Sequence, residues 1–346
     1  MSTKTVSTQH VSRWLGQWYN ALICHQFAEA DQWKEKVDNQ IMNMEEDQTI
    51  LIYYSLLTLR HNLLTEQENP NQYLESITPF EEKMGPLLTH YYHLFTGMYE
   101  ALEGNYTEAL QHYSSAEGYL DQIPDDIEKG EYHYRVATVF YHIRQTSLAL
   151  KHVTEAKTVF DTDPSYLQRS VHCEILLGLC CLTNKDYSLA EDHLNSALAV
   201  AVESSSKTLE TQIRYNIGFL YSEKGESLRA IQFLEEVDEA GFNPAKTSFL
   251  LAREYFNTDQ HDLALERISR GLKSCEATGN TEYHHHFSIL KAFHDGSKTE
   301  DIIAVVREGV SYFKTHQLYG YADDYLTRLA DYLCKQKDYR NTSLFF

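Results

Sequence analysis

A small residue recurs through most of this chain at a nearly constant interval, and that recurrence limits the available folds more than any other feature. Gly97, Ala137, Gly178, Gly218, Ala252, Ala292 and Ala330 each lie inside a stretch with helical apolar spacing. Twelve residues after each of the first six comes an alanine: Ala109, Ala149, Ala190, Ala230, Ala264 and Ala304, with Thr342 in the seventh place. These alanines are 40, 41, 40, 34 and 40 residues apart. A small residue within an amphipathic helix lets a neighbouring helix approach closely, so each interval reads as a pair of helices packed back to back. Polar turns such as "EGNYTEA", "NKDYSLA", "EKGESLRA" and "KQKDYRN" separate the two helices, with tyrosine at Tyr106, Tyr187 and Tyr339. One pair cannot bury its own apolar face. Stacked pairs build a continuous core and a right-handed superhelix with a concave groove lined mainly by the first helix of each pair.

The run "YNIGFLYSEKGESLRAIQFLEE" (215–236) resembles the tetratricopeptide pattern, with its Gly, Tyr, Ala and Phe in order, although the spacing is mostly longer than that family's usual period. The match extends over 87–346. It specifies a fold rather than a function, because such arrays bind peptides and protein segments of many kinds. The last repeat stops at "NTSLFF", so Leu344, Phe345 and Phe346 must pack back or make a contact.

Ahead of the array, Val11, Leu15, Trp18 and Leu22 form one helical stripe; Phe27, Ala30, Val37 and Ile41 suggest a second helix, and 47–65 a third. "TEQENPNQ" (65–72) is a polar break containing Pro70, and Pro79 and Pro86 bracket a further short segment. The expected organisation is a three-helix bundle over 1–70, a linker able to flex over 71–86, and the repeat domain over 87–346. With 15 Gly, 6 Pro and no alternating β pattern in 346 residues, the fold class is all-α.

Charge narrows the partners. Fifty acidic against 30 basic residues give a net charge of -20, a field that repels nucleic acid and anionic membranes and favours a basic peptide or protein surface. Six cysteines without CxxC spacing suggest reduced thiols, and "MSTKTVSTQHVSRWLGQWY" has no apolar signal core. No run of about 18 apolar residues occurs, so a cytoplasmic location is expected. "YHHHFS" (283–288) looks like a metal tract, but consecutive helical side chains point about 100° apart, so His284, His285 and His286 diverge. Cys180 and Cys181 are opposed in the same way and read as packing residues. No nucleophile elbow, HExxH or phosphate loop is present, so no metal or cofactor of its own is expected.

"EEDQTILIYYSLLTLRH" (45–61), the tryptophan-rich "VSRWLGQWY" and the seven-unit array together resemble the Rap family, response-regulator aspartate phosphatases and anti-activators of sporulation and competence controlled by secreted Phr signalling peptides. On its own, Gln48 would be a solvated residue near a helix start. The resemblance implies that it enters the regulator's active site, with Glu46, Asp47, Leu51 and Leu59 at docking positions; Leu59 stands where the family often has phenylalanine. The chemistry is coherent. A phosphoaspartate is a mixed anhydride whose receiver domain supplies its own Mg2+ and lysine, and a carboxamide can accept from the attacking water while donating to a phosphoryl oxygen. A glutamate there would add charge beside an anion.

The resemblance also implies a short, cationic peptide held in the groove. Asn216, in "YNIG", would bond both an N–H and a C=O of an extended backbone. The family's aspartate five residues after the third small residue is replaced here by Thr183, with Asp186 or Glu223 nearby to compensate. Gln212, Tyr215, Phe219, Phe249 and Arg253 share the groove-facing phase, and each is equally placed for core packing between repeats. Two functions of different class follow. In one, the bundle, linker and first repeats clasp a phosphorylated sporulation-type receiver, Gln48 speeds hydrolysis, and peptide binding compacts the array and draws the bundle away. In the other, the chain sequesters a regulator's DNA-binding domain without catalysis. A peptide-binding scaffold without a regulator target is the third.

Overall fold

A computed structural model describes residues 6–65, 71–123 and 125–338. The fold is all-α. Among the described residues the sole β feature is an isolated bridge between Val6 and Met44. The chain divides into two compact units, Met1–Cys180 and Cys181–Phe346.

The first unit opens with α1 (Thr8–Ile23), α2 (Phe27–Asp38) and α3 (Gln48–Thr65). The stripe Val11, Leu15, Trp18 and Leu22 is fully buried, as are Ala30 and Val37, while Ile41 falls in a separate 3-10 turn, Ile41–Asn43. The stretch expected as a linker is structured: α4 (Asn71–Ile77) is followed by a 3-10 segment (Thr78–Lys83), and Leu74 and Ile77 are buried. Their apolar side chains give the segment a core to join. Helix pairs then follow: α5 (Pro86–Leu102) with α6 (Tyr106–Leu120), α7 (Asp126–His142) with α8 (Thr146–Phe160), and α9 (Leu167–Thr183), inside which the division falls.

The second unit continues with α10 (Tyr187–Glu203), α11 (Lys207–Glu223), α12 (Ser227–Glu239), α13 (Pro244–Asn257), α14 (His261–Thr278), α15 (Thr281–His294), α16 (Thr299–Thr315) and α17 (Tyr319–Lys335). Within the pairs, one three-residue turn recurs. Its middle residue is left-handed at Gly104, Arg144, Lys185, Gly225 and Asp259, with φ between 58° and 82°. This closes the first helix and starts the second in a fixed register. In that register the fourth residue of the second helix is Ala109, Ala149, Ala190, Ala230 and Ala264, all with 0% exposure.

The sixth pair departs from the expected series. Its turn spans 295–298, one residue longer, so Ile302 takes the fourth position and is buried while Ala304 is exposed. The close approach inferred for the small residues is real at Gly97 and Gly218: an added Cβ would lie 2.5 Å from the Tyr113 ring and 2.7 Å from Leu234 Cγ respectively. Pro70, Tyr339, Thr342 and the terminal Leu344, Phe345 and Phe346 lie outside the described residues. Among the described residues no helix is long and apolar enough to cross a membrane.

Candidate functional site

Helix α3 begins in the open. Asp47 caps it, its Oδ1 accepting the Ile50 N–H at 3.2 Å, which fixes where the helix starts and leaves Gln48 as its exposed first residue. Glu45 and Glu46 precede it in solvent, and Leu51 follows three residues on the same face, still 36% exposed. Gln48 thus presents an uncharged carboxamide at the positive end of an 18-residue helix, beside two carboxylates and one apolar contact. Leu59 does not join this surface. It is 0% exposed, because Ile52, Leu56, Leu59 and Leu63 follow the helical period and form the buried face of α3. The docking role inferred for Leu59 is therefore corrected to a core role.

The rest of the α3 motif is architectural. Trp18 Nε1–H donates to His61 Nδ1 at 3.0 Å, and His61 Nε2 lies 3.1 Å from Asp31, tying α1, α2 and α3 together. Arg60 points the other way, toward the first repeats. Its guanidinium lies 3.2 Å from Glu131 on α7, where Arg135 (2.9 Å) and Arg169 of α9 converge on the same carboxylate. Arg60, Arg169 and Glu131 are each 1% exposed or less. Arg169 also donates to His25 Nε2, at the α1–α2 turn, at 3.1 Å. Three residues before Glu131, Glu128 accepts from Tyr19 of α1 and from Tyr91 of α5 at 2.8 Å.

Two neighbouring carboxylates on one helix are thereby driven apart. Burial pushes the Glu128 carboxyl up to about 7, even though Tyr19, Arg60 and Tyr91 favour its anion. Burial also acts on Glu131, but Arg169, Arg135 and Arg60 overcome it and hold that carboxyl well below the usual range. Burial, together with the Arg169 charge, keeps His25 neutral, the form that accepts the arginine N–H. Sequence reasoning missed Tyr19, His25, Glu128, Glu131 and Arg169. The only signal was the unusual pairing of "RH" with an otherwise apolar helix face.

In the second unit, Asn216 on α11 is 8% exposed, and its carboxamide takes part in no side-chain hydrogen bond among the described residues. Gln212, Tyr215 and Phe219 surround it on the same helix, each half-buried. Tyr215 packs on Phe242 at 5.8 Å. On α13, Phe249 lies between Tyr283, His286 and Phe287 at 5.3–5.9 Å. Arg253 bonds Glu223 at 2.9 Å and Glu254 at 3.0 Å, so Arg253 and Glu223 neutralise each other rather than standing as separate recognition charges. Glu254 is completely buried and also accepts from Ser227 and Asn257. Thr183 is exposed at the end of α9, and Asp186 caps α10, accepting the Leu189 N–H. His284 is exposed, His285 packs on Tyr312, and His286 lies 2.6 Å from the Tyr325 hydroxyl, so the three rings diverge. The face thus combines an unpaired carboxamide, aromatic walls and one internally neutralised ion pair, a surface able to grip an extended backbone.

Comparison with known proteins adds the following. Residues 5–66 match the family model described as response regulator aspartate phosphatase H, N terminal. The chain is similar to Regulatory protein RapG of Bacillus subtilis (strain 168), 31% identical over 75% of this chain and 73% of that one. It is also similar to Response regulator aspartate phosphatase H of the same organism, 27% identical over 93% of this chain and 89% of that protein. Among solved structures, a Rap protein complexed with Competence and Sporulation Factor superposes with a TM-score of 0.88 at 26% identity, covering 98% of this chain and 96% of that one.

Proposed function

Because the chain belongs to the Rap family, we propose that it dephosphorylates a response-regulator receiver domain and is inhibited by a short cationic signalling peptide. The observation that carries this reading is the capped start of α3, with Gln48 exposed between the Glu46–Asp47 pair and Leu51. The receiver brings the phosphoaspartate, its Mg2+ and a lysine. This chain adds no cofactor to the reaction. The Gln48 carbonyl oxygen accepts a hydrogen bond from water while its NH2 donates to a phosphoryl oxygen, aligning the water opposite the aspartyl leaving group. Glu46, Asp47 and Leu51 hold the receiver against the helix end. Asn216, with Gln212, Tyr215 and Phe219 around it, grips the peptide backbone, and the net charge of -20 draws a basic peptide in. Hydrolysis and peptide binding both take place in the cytoplasm.

The test is loss of labelled phosphate from a sporulation-type receiver, alone, with this chain, and with Gln48→Ala. Faster decay that disappears in the variant, while the variant still binds the receiver, supports catalysis. Binding without faster decay refutes it. That second outcome leaves sequestration without catalysis; its form as capture of a regulator's DNA-binding domain is the other reading, which the burial of Leu59 and the similarity to a relative named only as a regulatory protein favour.

A further inference from the structure

Two histidines and a glutamate from one helix pair converge on a single point in the first unit. His133 of α7 and His152 of α8 face each other with their Nδ1 atoms 2.9 Å apart, and the Glu155 carboxylate, one turn further along α8, lies 3.1 Å from His133 Nδ1. All three ligand atoms fall within 4.8 Å of one another. We propose that His133, His152 and Glu155 form a binding site for a borderline transition-metal ion of the Zn2+ class, which clamps α7 to α8. None of the three is among the residues proposed above for catalysis or for peptide binding.

The donor chemistry and the distances both suit such an ion. Two imidazole nitrogens and one carboxylate oxygen are a set that zinc accepts readily, leaving a fourth position for water. With metal–nitrogen bonds of about 2.0–2.1 Å, a nitrogen separation of 2.9 Å subtends about 90° at the ion, and opening it to about 3.3 Å gives the tetrahedral angle. Glu155 is 42% exposed and His133 22%, so the ion has a path from solvent and only small ring movements to make. Both rings are held below the ordinary imidazole pKa by burial, which keeps them in the neutral form a metal requires. Around them, Glu117 favours positive charge at both rings and Lys151 opposes it, while Phe140 packs against His152 at 5.6 Å.

The fold supplies an internal control. One repeat earlier, 40 residues back in each case, His93 and His112 make the same contact, Nδ1 to Nδ1 at 3.1 Å. The place of Glu155 is taken there by Ser115, whose hydroxyl donates to the Gln111 carbonyl. A facing histidine pair is thus a repeat-packing device in its own right, and the carboxylate converts the second copy into a three-donor site.

The experiment uses the untagged full-length chain stripped with a chelator, titrated with Zn2+ in a calorimeter and with Co2+ in the visible spectrum. The expected result is one high-affinity ion per chain. It should bind ~10-fold or more weakly in Glu155→Gln and in His152→Gln, since losing a ligand costs at least as much as losing an outer partner, and unchanged in His112→Gln. Glu155→Gln alters an exposed, near-isosteric side chain, so the folded chain survives for the comparison. Absence of binding, or binding that all three variants leave intact, as at the "HHH" run, would overturn the proposal.

Discussion

Replacing Glu131 by glutamine tests the claim that the N-terminal bundle is held to the first repeats by a shared buried charge. Arg60 from α3, Arg135 from α7 and Arg169 from α9 all meet this carboxylate, and two of those guanidiniums have only 1% exposure. Coulomb's law at an effective dielectric of about 20 gives about 5 kcal/mol for the Arg60 pair at 3.2 Å, the longest of the three contacts and before any desolvation cost. Glutamine keeps the shape and one acceptor but leaves the buried cations without their counter-charge, a change that costs about 3–5 kcal/mol when one partner of a buried pair is removed. With a urea dependence of about 3 kcal/mol per molar, the midpoint should fall by about 1–2 M. The assay has a built-in reporter, because all three tryptophans, Trp14, Trp18 and Trp33, lie in the bundle. Their fluorescence transition should move, whereas the control Lys129→Ala, at an exposed ion pair, should leave it in place. A fluorescence midpoint within about 0.3 M of the unsubstituted chain would refute the reasoning.

Three further outcomes follow from the same packing. Glu128 binds a proton more tightly folded, at about 7, than unfolded, near 4.5, so stability falls as pH rises between those values, by about 3 kcal/mol in total. Tyr19, Arg60, Tyr91 and Glu131 face this group, and the urea-midpoint slope over pH 5–7 should flatten in Glu128→Gln relative to the unsubstituted chain. Asn216→Ala should weaken binding of a labelled cationic peptide about tenfold in fluorescence anisotropy, the loss expected when backbone hydrogen bonds worth about 1–2 kcal/mol go unmade; unchanged affinity would remove Asn216 from the peptide site. Gly218→Ala would drive a methyl to 2.7 Å from Leu234 Cγ and should destabilise the second unit by about 1–3 kcal/mol in thermal unfolding, whereas Gly118→Ala, with open space around it, should not.

The helical repeat was legible from composition and period alone, because every pair must place a small residue where two backbones meet, and that requirement repeats with the structure. Ala304 was misread for the same reason: one added turn residue shifts the register of α16, and the sequence carries no mark distinguishing a longer turn from a longer helix. The start of α3 was readable to within one residue, expected at Asp47 and observed at Gln48, because a helix start is a local event determined within four residues; that Asp47 is its cap was not read. Leu59 stood in a recognised motif, yet its own helical phase with Ile52 and Leu56 pointed inward.

Local order thus determined where the helices lie, how they pair, and which side chains stand at the open end of α3. Which distant polar residues meet was decided only by the tertiary structure. Glu131 and Arg169 are 38 residues apart, His25 and Arg169 144 apart, and His133 and His152 19 apart. Periodicity tells which face of a helix is buried, but a polar residue on that face acquires its partner only when another helix brings one. Desolvation then makes that partner energetically decisive.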